Sequence, residues 1–188
     1  LALCSTAMGE KLAAMLVPPP AVPLRAAPAA LLANAAVRTA PPVNATPLRI
    51  EAVAPLVRAA INRFSRIGIT PAQQTKLAAV QVQVADLPDD QLGSTTGNVV
   101  TLDVNAAGLG WFIDPTPETD VEFATAENAP QGIDVLTVIS HELGHVLGLG
   151  HTGLNGDDLL DEYLQPSQRK SPQPELLDLL FAEDDWAA

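Results

Sequence analysis

All three histidines of the chain fall within eleven residues, His141-Glu142-Leu143-Gly144-His145-Val146-Leu147-Gly148-Leu149-Gly150-His151. On a helix, His141 and His145 are four residues apart, so their rings lie on one face, one turn apart. Two imidazoles at that spacing can share one metal ion. A catalytic zinc takes three protein ligands and keeps one position open. His151 lies six residues beyond His145. A continuing helix would carry it about 600° around and ~9 Å further along, out of reach. Gly148 removes that obstacle, because it can adopt a positive φ, end the helix and turn the chain back. Gly150 adds freedom just before His151.

Glu142 follows His141 at a rotation of ~100°, which sets it beside a metal rather than on it. A carboxylate there can take a proton from a water on the metal and pass it to a leaving amine, while zinc lowers that water's pKa and polarises a scissile carbonyl. Chain chemistry therefore points to hydrolysis. Two downstream carboxylates, Glu162 and Glu175, compete with His151 for the third ligand position, but neither has a turn like Gly148 ahead of it. The same three histidines could hold a structural metal, although such sites usually have four protein ligands.

These residues need elements to position them. Asp134 reads as an N-cap, with Leu136, Ile139, Leu143 and Leu147 along one side of a helix that Gly148 stops. Upstream, Val57, Ala60, Ile61, Phe64 and Ile67 recur at helical spacing and Gly68 can close that helix. Thr70-Pro71-Ala72-Gln73 reads as a cap, a first-turn proline and a capping box. Val80, Val82 and Val84 alternate with polar or small residues as a half-buried strand. Gly93-Ser94-Thr95-Thr96-Gly97 reads as a turn, Asn98–Asp103 as a second strand, and Asn105–Thr116 as an irregular segment or edge strand. Pro174 can start a short amphipathic helix carrying Leu176, Leu177, Leu179, Leu180 and Phe181.

Composition bounds the rest. The chain has 188 residues and a net charge of −12, which repels phosphate backbones and argues against nucleic acid as a partner. One cysteine excludes an internal disulfide framework. No uncharged apolar run approaches the ~20 residues of a membrane span. Between Val17 and Leu48, 18 of 32 residues are Ala or Pro, so this stretch reads as an extended arm. The expected organisation is an Ala/Pro-rich arm or linker over 1–46, a catalytic domain over 47–166, and an acidic tail with a short helix over 167–188. The chain starts at Leu1, reading as a fragment or processed form, and no complete signal peptide is visible.

His141–His151 matches the H-E-x-x-H-x-x-G-x-x-H signature of metzincin zinc metallopeptidases, and its glycine-rich end resembles the matrixin branch. Gly110-Trp111-Phe112-Ile113-Asp114-Pro115-Thr116-Pro117 is similar to matrixin-like domains of large bacterial secreted and surface proteins. The resemblance implies an α+β metzincin-like domain: a small mixed sheet, a long helix and an active-site helix. It implies Zn²⁺ held by His141, His145 and His151, and Glu142 as general base. It further implies a peptide or protein substrate lying extended along a sheet edge, and a secreted or cell-surface location. The family has a methionine in a turn beneath the zinc. Met8 and Met15 lie far upstream, and Leu160, within Asp157–Tyr163, takes that place here; Leu and Met have similar volumes. No tyrosine ligand is expected from Tyr163, nor a latency role from Cys4. Asp103, Asn105, Asp114, Glu118 and Asp120 could furnish oxygen ligands for Ca²⁺. The missing methionine keeps a second function in view, a catalytically silent zinc-binding surface or adhesion module with the same fold.

Overall fold

The computed structural model describes residues 29–34, 46–152 and 158–182; Cys4, Met8, Met15, Asn44 and Asp157 lie outside them. Strand β1 is Ala29–Ala33, followed by helices α1, Ile50–Ile67, and α2, Pro71–Ala78. Strands β2 (Gln81–Ala85), β3 (Gln91–Thr96) and β4 (Val99–Asp103) come next. Two short strands, β5 (Trp111–Phe112) and β6 (Ile133–Asp134), lead into helix α3, Val135–Leu147. Strand β7 is Tyr163–Leu164 and helix α4 is Leu176–Ala182.

Five strands form one mixed sheet in the order β2-β4-β3-β1-β7. Only β3 runs against the others: β2 is parallel to β4, β3 is antiparallel to β4 and to β1, and β7 is parallel to β1. Strands β5 and β6 pair in parallel as a separate ribbon at the start of α3. Helix α3 lies across β1, β3 and β4, and α1 and α2 pack against α3. This is the α+β architecture expected, with the long helix α1 packed on α3, the helix that carries His141 and His145.

Local chemistry explains the helices. Gly68 ends α1 in the left-handed region at φ 102°, which costs glycine little. Thr70 caps α2, and its capping box with Gln73 is complete. Helix α3 was expected to bury one side. Instead every residue from Val135 to Gly144 is buried, because the sheet, two helices and the chain after Leu159 surround it.

Two sequence expectations are corrected. Gly93–Gly97 is not a turn; Gly93 to Thr96 belong to β3, and the reversal is confined to Gly97 and Asn98. The glycine serves close packing instead. A Cβ on Gly93 would lie 2.7 Å from Glu142 Oε1 and 2.9 Å from Val138 Cγ1, so only glycine lets α3 approach the strand this closely. Ala29–Ala33, within the segment read as an arm, is an inner strand with Leu31 and Ala33 buried. Its composition disguised it, since three of its five residues are alanine.

The segment read as an acidic tail carries two buried cations. Arg169 Nη1 lies 2.6 Å from Asp114 Oδ2 and its Nη2 2.8 Å from Asp134 Oδ1, with all three side chains 4% exposed or less. The guanidinium also stacks on Phe123 at 4.3 Å. Burial opposes its charge, but Asp134 and Asp114 outweigh that and hold it more firmly protonated than a free arginine. Lys170 Nζ bonds Asp161 Oδ2 at 2.9 Å, also buried. From α1, Arg63 reaches Asp120, Ser171 and the Pro117 carbonyl.

Three stability changes should follow. Gly93→Ala should cost about 1–3 kcal/mol, the usual penalty for overpacking, read from the denaturant midpoint. Arg169→Met should cost about 3–5 kcal/mol by stranding two buried carboxylates. Asp120→Asn, at a carboxylate whose side chain is 53% exposed, should cost less than Arg169→Met.

Candidate metal centre

Helix α3 is fixed at both ends. At its start, Asp134 Oδ2 accepts from the Thr137 backbone N–H at 3.1 Å and from the Thr137 hydroxyl at 2.7 Å. The same carboxylate takes the guanidinium of Arg169. At its end, Gly148 sits at φ 104° with its N–H directed to the Gly144 and His145 carbonyls. The Leu149 N–H then bonds Gly144 O at 3.1 Å. This reversal brings His151 back to the helix face that carries His141 and His145.

The three Nε2 atoms converge. His141 and His145 are 2.8 Å apart at Nε2, His141 and His151 3.3 Å, and His145 and His151 3.2 Å. The other nitrogen of two rings is committed: His141 Nδ1 lies 2.8 Å from Leu159 O, and His145 Nδ1 2.8 Å from Leu149 O. A carbonyl oxygen only accepts, so both Nδ1 atoms donate and both Nε2 lone pairs face the centre. Burial, then the neighbouring histidines, holds His141 well below its ordinary pKa. Burial lowers His145 as well. Both rings are therefore neutral, as ligation requires.

The donor set fits zinc. Neutral lone pairs this close repel unless a cation lies among them. A tetrahedral zinc with bonds of ~2.0–2.1 Å sets ligand nitrogens roughly 3.3–3.4 Å apart, close to two of the three separations. Carbonyls on the far ring nitrogens are the usual second partners of ligating histidines. Among the described residues, the one group of His, Cys, Asp or Glu able to hold a metal is His141, His145 and His151.

Glu142 is buried on the sheet side of α3. The Thr95 hydroxyl lies 2.7 Å from Glu142 Oε2 and 3.1 Å from its carbonyl oxygen. Oε1 has no hydrogen-bond partner among the described residues. Burial pushes the carboxyl up to about 8, against the opposing hydrogen bonds of Thr95 and the Leu31 backbone. Thr95 and Gly93 went unrecognised in the sequence. The available signal was a glycine among β-formers, which can mark close backbone approach as well as a turn.

Leu160 is fully buried beneath the helix. A Cβ on Gly144 would come within 2.7 Å of Leu160 Cδ2. The Leu160 carbonyl accepts from Thr152 N at 3.0 Å, and Lys170 anchors the following Asp161. The rival ligands do not join the histidines: Glu162 uses its backbone carbonyl to accept from Leu32 N at 2.9 Å, and Glu175 is exposed. The calcium candidates do not form a cluster able to hold a metal. Asp103 binds the backbone N–H groups of Leu87, Asn105 and Ala107, and Asn105 bonds Gly108 N. Asp114 and Asp120 pair with Arg169, and Glu118 with Arg66. Trp111 donates to Asp103 O at 2.9 Å and Phe112 packs edge-on to Phe123, so both serve packing.

Residues 110–178 match the family model described as Matrixin. Matrix metallopeptidase-21 of Danio rerio is 35% identical over 82 residues, covering 40% of this chain and 14% of that protein. Matrix metalloproteinase-21 of Xenopus laevis is 39% identical over 54 residues, covering 29% and 9%. That of Cynops pyrrhogaster is likewise 39% identical over 54 residues. The chain thus spans a small part of the curated relatives it matches. No solved structure matches it. These likenesses support a zinc metallopeptidase in general. With the convergence of His141, His145 and His151, they mark residues 110–178 as similar to matrixins.

Proposed function

We propose that the chain is a zinc-dependent endopeptidase, with His141, His145 and His151 as the metal ligands and Glu142 as general base. The observation that carries this reading is the meeting of three Nε2 atoms beside a buried carboxyl group. Bound zinc would supply Lewis acidity, polarising a peptide carbonyl and lowering the pKa of water. The Nδ1–H bonds to Leu159 O and Leu149 O keep the two buried rings aimed and neutral. Thr95 holds Glu142 Oε2, which leaves Oε1 to accept a proton from the attacking water and return it to the leaving nitrogen. Leu160 takes the place of the family's methionine, packing beneath α3 at Gly144. A peptide or protein is the substrate, and a site of action outside the cell belongs to the same proposal on family grounds. Among the described residues, no helix is long and apolar enough to cross a membrane.

The leucine at 160 also suits a second reading, a zinc-binding module without catalysis. Glu142→Ala separates the two. In the peptidase it should retain one zinc per chain while cleavage of a mixed peptide library falls by at least about a hundredfold, the upper part of what general-base catalysis contributes. Cleavage by neither protein, with zinc bound to both, would favour the silent module. Leu160→Met should keep zinc and change stability by less than ~1.5 kcal/mol, measured by metal analysis and thermal denaturation.

A further inference from the structure

Strand β1 lies between β7 and β3, whose Gly93 packs against Glu142. It runs antiparallel to β3, with Ala30 opposite Ser94 and Leu31 opposite Gly93. On its other side it runs parallel to β7, the strand just beyond Leu160, with Leu32 opposite Tyr163. Its backbone donors alternate between the two walls: Leu32 N to Glu162 O at 2.9 Å, Ala33 N to Asp90 O at 2.7 Å, and Asn34 N to Leu164 O at 3.1 Å. An extended peptide held in a cleft makes such a ladder. The ladder slips between Leu31 and Leu32. There Leu31 lies opposite Gly93, the residue packed directly against Glu142 Oε1. The Leu31 side chain is 2% exposed, while Ala29, Ala30 and Ala33 around it are small. This reads as one buried anchoring side chain flanked by small residues.

We infer that β1 is the chain's own substrate, seated for hydrolysis of the Ala30–Leu31 peptide bond. The inference rests on the peptidase reading above and adds the bond cut, the side chain that anchors it, and a barrier to other peptides while β1 stays in place. One water is consumed. Its oxygen bonds to the Ala30 carbonyl carbon, and the Ala30–Leu31 C–N bond breaks with its electron pair on nitrogen. The proton taken up by Glu142 goes to that nitrogen. The products are an Ala30 carboxyl group, ending residues 1–30, and a Leu31 amino group, beginning residues 31–188. Glu142 suits this bond because its Oε1 packs against Gly93, the β3 residue paired with Leu31, whose nitrogen must leave.

The test uses the full chain, with and without zinc. With zinc, mass spectrometry should find a single cut between Ala30 and Leu31, at a rate independent of chain concentration and lost in Glu142→Ala. Leu31→Asp should suppress the cut at least tenfold. A rate that rises with concentration would overturn the seating of β1. Cleavage of a peptide library with the Ala30–Leu31 bond intact would overturn this inference and leave the peptidase reading standing. No cleavage of either, with zinc bound, would remove both. Without zinc, hydrogen exchange at Leu32, Ala33 and Asn34 should run at least about tenfold faster than in α3, since a seated segment can leave without global unfolding. Exchange as slow as that of α3 would make β1 a structural strand and refute the proposal.

Discussion

Two backbone carbonyls, Leu149 O and Leu159 O, hold the Nδ1–H groups of His145 and His141, and the rest of the site depends on where they lie. Neither carbonyl belongs to the helix that carries the rings. Leu149 O is placed by the Gly148 reversal, and Leu159 O by a segment fastened through Leu160 under Gly144 and through Asp161 to Lys170. The metal-binding face is thus set by the chain that follows the helix. A ring whose Nδ1–H is tied to a carbonyl presents one lone pair in one direction.

That arrangement carries a large desolvation cost, which the fold offsets by pairing. Glu142, Asp114, Asp134 and Asp161 are all buried. Asp114 and Asp134 share Arg169, Asp161 takes Lys170, and Glu142 keeps the Thr95 hydroxyl. Burial raises the Glu142 carboxyl to about 8 for want of a cation of its own. Of these four acids Glu142 is the one without a cation partner, and its Oε1 has no hydrogen-bond partner among the described residues. Structural carboxylates elsewhere are neutralised, while the one beside the histidines is kept poised for protons.

Elements governed by local rules were legible in the sequence: the left-handed ends at Gly68 and Gly148, the Thr70 capping box, the Asp134 cap and the half-buried strand of Val82 and Val84. Helical spacing likewise brought His141 and His145 together, and one glycine accounted for His151. What stayed hidden depends on long-range packing. Gly93 has the composition of a turn, and its purpose appears only when Glu142 and Val138 lie against it. Ala29–Ala33 has too little apolar bulk to announce a strand, yet it pairs on both sides. Arg169 lies in the segment read as an acidic tail, and its partners Asp114 and Asp134 are 55 and 35 positions away along the chain.

Zinc titration of the metal-free full chain, wild type beside His145→Ala, tests the central claim most directly. Competition with a chromophoric chelator would give both stoichiometry and affinity, with no need for a substrate. The account predicts one tightly bound zinc per wild-type chain, and binding weakened about a hundredfold or more in His145→Ala, because two imidazoles alone make a poor zinc site. Failure of the wild type to bind zinc, or equal affinity in the two proteins, would contradict it.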